Sequence, residues 1–281
     1  MSKIFSSDLE EIVKERVSVR TYKTDPVPND IKDKIREYIE KLDSPFNENV
    51  VIKILEDDET IDTKKLGTYG VIKGTSNYIA TSVKDVNLSL ESLGYQVEKL
   101  VLYITSLGLG TCWLAGTFNK SNFKEKMEMD EGSILPIVVP FGYSAENISL
   151  VDKFMRFAAK SSKRKEWEEL FFNNDFTNTL KKEEAGEYAF PLEMLRLAPS
   201  GSNAQPWKVV KKDNYFHFYR TNSQNKFHEF DVKRIDIGIA ACHFHLATIE
   251  NELNGEFMQN EDSTINVPEN FIYAFSWKCS N

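Results

Sequence analysis

Apolar positions recur along this chain in two rhythms, one near every third or fourth residue and one at every second, and their order predicts its elements. Residues 7–15 read as a short amphipathic helix, with Leu9, Ile12 and Val13 on one side of Asp8, Glu10, Glu11 and Lys14. In Arg16-Val17-Ser18-Val19-Arg20 the alternation puts Arg16, Ser18 and Arg20 on the same side of an extended backbone. Asp25-Pro26-Val27-Pro28 is a rigid extended link, Asn29 or Asp30 is a suitable N-cap, and residues 31–42 continue as an amphipathic helix. Strands are predicted at 50–55, 78–83 and 134–141. Between them, residues 67–74 form a glycine-punctuated loop that carries Lys73. Residues 88–107 are the longest apolar-periodic stretch of the first half, a mostly buried helix that ends at Gly108-Leu109-Gly110.

The second half repeats this order in shorter form: a helix before Ala198, strands at 209–210 and 215–219, a helix over 235–253 and a last strand at 271–276. Ser44-Pro45-Phe46-Asn47 stands to Ser200-Gly201-Ser202-Asn203 at a spacing of 156 residues, and Leu93-Gly94 to Ile237-Gly238 at 144. Matched element order at nearby spacings predicts a diverged duplication. The resulting class is α+β, two diverged repeats each with a mostly antiparallel sheet flanked by helices. The repeats are placed at 1–150 and 176–281, joined by an arm at 151–175. Within repeat 2, Pro199 and Pro206 exclude a regular helix or central strand from Ala198-Pro199-Ser200-Gly201-Ser202-Asn203-Ala204-Gln205-Pro206-Trp207. Taken alone, this loop suits either an ordinary helix-to-strand connection or one wall of a ligand pocket.

Composition narrows the function classes. The 281-residue chain has a net charge of −8 and a pI near 5.3, which argues against a general nucleic-acid or anionic-membrane surface and leaves room only for a local anion site. Three widely spaced cysteines without a CxxC pair indicate neither a disulfide framework nor a structural zinc site, and suit a reducing, cytoplasmic setting. Cys112 reads as a core residue. His243 and His245, two apart on a helix, point to different faces and make a poor metal pair. No stretch approaches the apolar length of a membrane span.

Several of these segments together resemble the FMN-dependent nitroreductase family. Arg16-Val17-Ser18-Val19-Arg20 followed by Pro26-Val27-Pro28 is similar to its first motif, and Ala198 through Trp207 fits its Ala-Pro-Ser-x-x-Asn-x-Gln-Pro-Trp motif at every specified position. Gly108-Leu109-Gly110-Thr111-Cys112-Trp113-Leu114-Ala115-Gly116 is similar to the family's helix end and flavin-ring loop, and Lys163-Arg164-Lys165 to its basic tail. The second motif departs in location. In the family it follows the first by one helix, where this chain holds only the degraded Ser44-Pro45-Phe46-Asn47.

The resemblance implies a nitroreductase-like fold and an FMN site that homodimeric relatives build from two subunits. Here it implies a monomer acting as a pseudo-dimer with one complete site. Arg16, Ser18, Lys163 and Arg164 would meet the phosphate, and Arg20 the flavin N1 edge. Lys73 would reach the pyrimidine, and Ala115 and Gly116 would line the ring. Pro199, Ser200, Gly201 and Asn203 would come from the other repeat. The spacing of 156 places the counterparts of Arg16, Ser18 and Arg20 near Phe172, Asn174 and Phe176, so the second site is expected to be dead. The implied activity is NAD(P)H-driven, ping-pong reduction of nitroaromatic or quinone-type acceptors by hydride transfer through flavin N5, with no acid–base residue required. The rival implication is a non-catalytic FMN-binding or regulatory flavoprotein.

Overall fold

Two sheets with the same internal strand order account for the symmetry in the sequence. The structure, a computed structural model, describes residues 5, 7–46, 49–57, 66–146, 163–222 and 229–280. In the first half come α1 (Leu9–Glu15), α2 (Asn29–Glu40), β1 (Val51–Glu56), β2 (Asn77–Ser82), α3 (Ser89–Ser106), β3 (Gly110–Thr111), α4 (Lys120–Met127) and β4 (Val138–Gly142). The second half has α5 (Trp167–Leu170), β5 (Phe171–Asn173), α6 (Lys182–Ala185), α7 (Ala189–Leu197), β6 (Trp207–Lys212), β7 (Tyr215–Thr221), α8 (Val232–Glu250), β8 (Gly255–Met258) and β9 (Phe271–Cys279).

The sheets run β1-β2-β4-β3 and β5-β6-β7-β9-β8. Without β5 the two orders coincide, with β1, β2, α3, β3 and β4 standing for β6, β7, α8, β8 and β9. The spacing of 156 read from the sequence carries β1 onto β6, since Val51 and Trp207 open six-residue strands. All pairings are antiparallel except β5 with β6. Strand β5 comes from the end of the predicted connecting arm and joins the sheet of the second half; residues 151–162 of that arm lie outside the described residues. Among the described residues no strand covers the matching edge of β1.

Period-two alternation sorts each sheet's side chains between clusters. Ile79, Val139 and Phe141 face the main core, while Tyr78, Ala80 and Val138 face a cluster with Phe118, Phe123 and Met127. Phe216, Phe218 and Phe275 join the same main core, which therefore spans both halves.

The centre of that core is the pair α3 and α8, and glycine sets their distance. A Cβ on Gly94 would lie 2.1 Å from the Ile235 carbonyl oxygen, and one on Gly238 would lie 2.1 Å from the Glu91 carbonyl oxygen. The spacing of 144 residues relates both Glu91 to Ile235 and Gly94 to Gly238. Each half thus presents to the other the contact it receives, which is the signature of a twofold axis. Glu91 adds a further tie, accepting from Arg234 Nε and Nη2 at 2.8 Å each.

Local differences from the expected elements have simple causes. The fourth strand is shorter than 134–141 because Pro136 has no N–H for a ladder, leaving Ile134 only an isolated bridge to Val83. Helix α2 begins at Asn29 with Pro28 in the N-cap position and no side-chain cap, so neither Asn29 nor Asp30 caps it. Strands β5 and β8 were not expected: three- and four-residue strands hold too few positions for a period to show.

Candidate functional site

Arg16 leaves α1 in an extended conformation, and the segment after it is stitched to two places in the first half. Val19 N–H donates to the Thr111 carbonyl at 2.8 Å, Lys73 N–H to the Arg20 carbonyl at 2.9 Å, and Tyr22 N–H to the Lys73 carbonyl at 2.8 Å. Ser18 forms a parallel bridge with Thr111 and Thr21 one with Lys73. Arg16, Ser18, Arg20, Lys73 and the start of the 111–116 run therefore share one neighbourhood. Arg16 is buried, Ser18 and Arg20 are half-buried, and Lys73 is exposed. Leu114 pairs with Val138, which leaves Ala115 half-buried and Gly116 exposed at the turn that follows.

The loop after α7 supplies the opposite wall, and its backbone is strained. Ser202, Asn203 and Gln205 have φ of 51°, 55° and 45°, a region that costs a residue with a Cβ of order 1 kcal/mol. Hydrogen bonds over-determine the shape. Gly201 N–H donates to Asp236 Oδ1 at 2.9 Å, and Gln205 N–H to Ser200 Oγ at 2.8 Å. Asn203 Nδ2 donates to the Lys163 carbonyl at 2.8 Å, and Lys165 N–H to Gln205 Oε1 at 2.8 Å. The two short segments 163–165 and 197–205, one from the connecting arm and one from the second half, thus form a single unit.

Arg164 closes that unit toward the first half. Its Nε and Nη2 donate to the Leu197 carbonyl at 3.2 and 3.1 Å, and its Nη1 to Asn203 Oδ1 at 3.0 Å. Burial, then the charges of Arg16 and Arg196, bring its pKa down to about 10. Arg16 itself has a buried Nε with no hydrogen-bond partner, 3.9 Å from Glu98 Oε1. Glu98 in turn meets His243 of α8, so Arg16 on one side and Arg164 on the other put two guanidinium groups where the halves meet, chemistry suited to an anion with several acceptor oxygens.

Of the residues singled out from the sequence, the structure brings Arg16, Lys163, Arg164, Pro199, Ser200, Gly201 and Asn203 to this meeting point, and ties Ser18, Arg20, Lys73, Ala115 and Gly116 into the adjoining segment. Arg164 is a clamp on the loop as well as a charge. Sequence reasoning missed Glu98, Trp113, His243, Gln205 and Asp236. Glu98 had a signal, a carboxylate in line with Gly94 and Leu102 on an otherwise apolar helix stripe. Trp113 and Gln205 stood inside the quoted motifs without a role, while His243 and Asp236 carried no signal, because their partners lie 145 and 35 residues away.

The degraded motif and the positions matched to Arg16, Ser18 and Arg20 fall in two different apolar clusters. Phe46, from the degraded motif, is 8% exposed and packs on Tyr95, Phe257 and Phe275 at ring separations of 6.2, 5.4 and 4.9 Å. Tyr95 Oη lies 2.7 Å from His245 Nδ1. Phe176 packs on Tyr219 and Phe271. Phe172, Asn174 and Phe176, the positions matched to Arg16, Ser18 and Arg20, are themselves uncharged, and Lys208 Nζ lies 5.7 Å over the Phe172 ring. His243 and His245 have different partners, and among the described residues no group of three or more His, Cys, Asp or Glu is placed to hold a metal. No described helix is long and apolar enough to cross a membrane.

The family model described as "Putative TM nitroreductase" matches residues 8–248. No curated protein is significantly similar to the chain. Among solved structures, a Thermotoga maritima protein described as a putative nitroreductase is 20% identical with a TM-score of 0.62, covering 97% of this chain and 94% of its own. A nitroreductase family protein from Clostridium novyi, 20% identical with a TM-score of 0.42, covers 50% of this chain and 87% of its own. A Bacteroides fragilis nitroreductase with bound FMN, 18% identical with a TM-score of 0.41, covers 52% and 92%. At such scores the half-length likenesses carry no argument. The full-length structural match shows the same fold, and the family match runs from α1 through most of α8, so this chain belongs to that nitroreductase family.

Proposed function

We propose that this chain is an FMN-dependent oxidoreductase that takes reducing equivalents from NAD(P)H and passes them to nitroaromatic or quinone-type acceptors. The observation that carries the proposal is the placing of two guanidinium groups where the halves meet: Arg16 lies against Glu98, which pairs with His243 of α8, and Arg164 is clamped on the 197–205 loop. One of these cations is buried and the other half-buried, in a protein of net charge −8. A phosphate monoester dianion would pair with both charges.

In this proposal Arg16, Ser18, Lys163 and Arg164 hold the phosphate. Arg20 and Lys73 lie toward the pyrimidine edge, Ala115 and Gly116 line the ring, and Pro199, Ser200, Gly201 and Asn203 close it from the other half. Bound FMN would supply hydride and single-electron chemistry that no side chain provides. The chain's own contribution is to bind, orient and set the local charge: a fixed guanidinium at Arg20 would stabilise negative charge developing on the neighbouring ring. We further propose that the halves, 1–150 and 176–281, arose by duplication, and that a single chain acts as a pseudo-dimer with one cofactor.

Titration of flavin-free protein with FMN tests the assignment, and Arg16→Glu is expected to weaken binding at least a hundredfold, since it replaces attraction by repulsion at a partly buried site. Unchanged affinity in this variant would remove Arg16 from the site. NADPH oxidation with a nitrofuran or a quinone then separates an enzyme from a flavin carrier, which would be reduced without turnover.

A further inference from the structure

Glu98 is wholly buried, so its carboxyl group depends on protein donors. Trp113 Nε1 donates to Oε2 at 3.0 Å, His243 Nε2 lies 2.8 Å from Oε1, and Arg16 Nε lies 3.9 Å from that same oxygen. The far side of the imidazole fixes its proton count. His243 Nδ1 is 3.1 Å from the Met194 carbonyl oxygen, which only accepts, so Nδ1 carries a hydrogen. A 2.8 Å contact between Nε2 and a carboxyl oxygen then needs one more proton, whichever of the two holds it. In both arrangements the charges of Glu98 and His243 sum to zero.

That sum decides what Arg16 can do. A solitary carboxylate 3.9 Å from its Nε would act as its counter-ion and compete with any anionic ligand. A couple without net charge orients the guanidinium as a dipole and leaves its positive charge for the ligand. We propose that Glu98 and His243 are positioning residues: a charge-neutral couple, one member on α3 and one on α8, that holds Arg16 and Trp113 in place while keeping Arg16 available to a phosphate monoester. The proposal rests on the flavin assignment above. It also accounts for the asymmetry at the twofold axis, because the spacing of 144 sets Cys242 opposite Glu98 and Lys99 opposite His243, a pair that cannot form this couple.

The test compares FMN with riboflavin, which lacks the phosphate, in equilibrium titrations of the native chain, His243→Gln, Glu98→Gln and the double variant, with thermal melts as a check on folding. His243→Gln removes the shared proton and is expected to weaken FMN binding about ten- to a hundredfold. Adding Glu98→Gln removes the stranded charge and should restore FMN affinity to within about threefold of the native chain. Glu98→Gln alone keeps a neutral couple, its amide oxygen accepting from Trp113 and its amide N–H donating to His243, and should bind FMN nearly as the native chain does. Riboflavin affinity should stay level throughout. If the double variant binds no better than His243→Gln, if Glu98→Gln alone loses tenfold, or if riboflavin weakens in parallel, the couple is ordinary packing and the proposal fails. A His243→Gln chain that does not fold leaves the Glu98→Gln titration to decide. FMN binding that is normal in the native chain and in His243→Gln overturns this inference alone, whereas a native chain that binds no FMN overturns the flavin assignment and this inference with it.

Discussion

The loops at 44–46 and 200–203, matched at a spacing of 156 residues, end in opposite surroundings. The 200–203 loop is strained and clamped by Arg164, on the side of the helix pair where Glu98 meets Arg16 and His243; the 44–46 loop buries Phe46 among Tyr95, Phe257 and Phe275, with Tyr95 coupled to His245. The difference shows what a single chain can do that a homodimer cannot. In a symmetric dimer every substitution falls on both sites, so neither can be traded for stability. Two halves in one chain can differ, and here one loop keeps a polar, strained backbone while Phe46 of the other lies in the core. The shared framework remains in the matching strand orders and the reciprocal glycine contacts.

The largest expected effect comes from breaking the framework itself. Gly94→Val or Gly238→Val drives side-chain atoms into the backbone of the facing helix, and each is expected to cost about 3 kcal/mol or more, seen as a large fall in the urea midpoint. Near-equal losses in the two variants would confirm the twofold relation; a mild effect at one site would show that the helices approach differently there. Next comes the buried Phe46. Phe46→Ala should cost about 3 kcal/mol through cavity formation without changing the number of flavins bound per chain. A second equivalent of FMN taken up by this variant would mean that a pocket there was plugged rather than lost.

The smallest effect is one of pH, and the two regions pull in opposite directions. Burial pushes the Asp236 carboxyl, beneath the 197–205 loop, up to about 7. Between the ordinary carboxylate range and pH 7 the folded chain holds a proton that the unfolded chain releases, so this group favours folding in acid and loses that contribution as pH rises. Burial pushes His245, beside Tyr95, down to about 4 from 6.5. Over that window the unfolded chain takes up a proton that the folded one refuses, so this group's contribution is lost as pH falls. Asp236→Asn keeps an acceptor for Gly201 N–H and removes the first titration. Its stability should therefore fall more steeply than that of the native chain from pH 6.5 to 4, as measured by thermal melts. Parallel profiles would show that Asp236 does not titrate in this range.

The sequence by itself determined the element order and the repeated framework, and marked the two segments from which the candidate site is proposed. Those features rest on local chemistry: apolar period, proline and glycine geometry, and short motifs such as Arg16-Val17-Ser18-Val19-Arg20 and Ala198 through Trp207 write themselves into neighbouring residues. Even the spacings of 144 and 156 survived, because the helix crossing and the opening strand of each half keep their internal lengths. The tertiary structure alone decided which polar groups meet. Glu98 and His243 are 145 residues apart and become partners only because Gly94 and Gly238 let their helices close together. Phe46 looked like a worn loop residue until β8 and β9 of the other half folded over it. Long-range partnerships depend on the packing of whole elements, and no periodicity or local motif encodes which side chain will arrive on the other side.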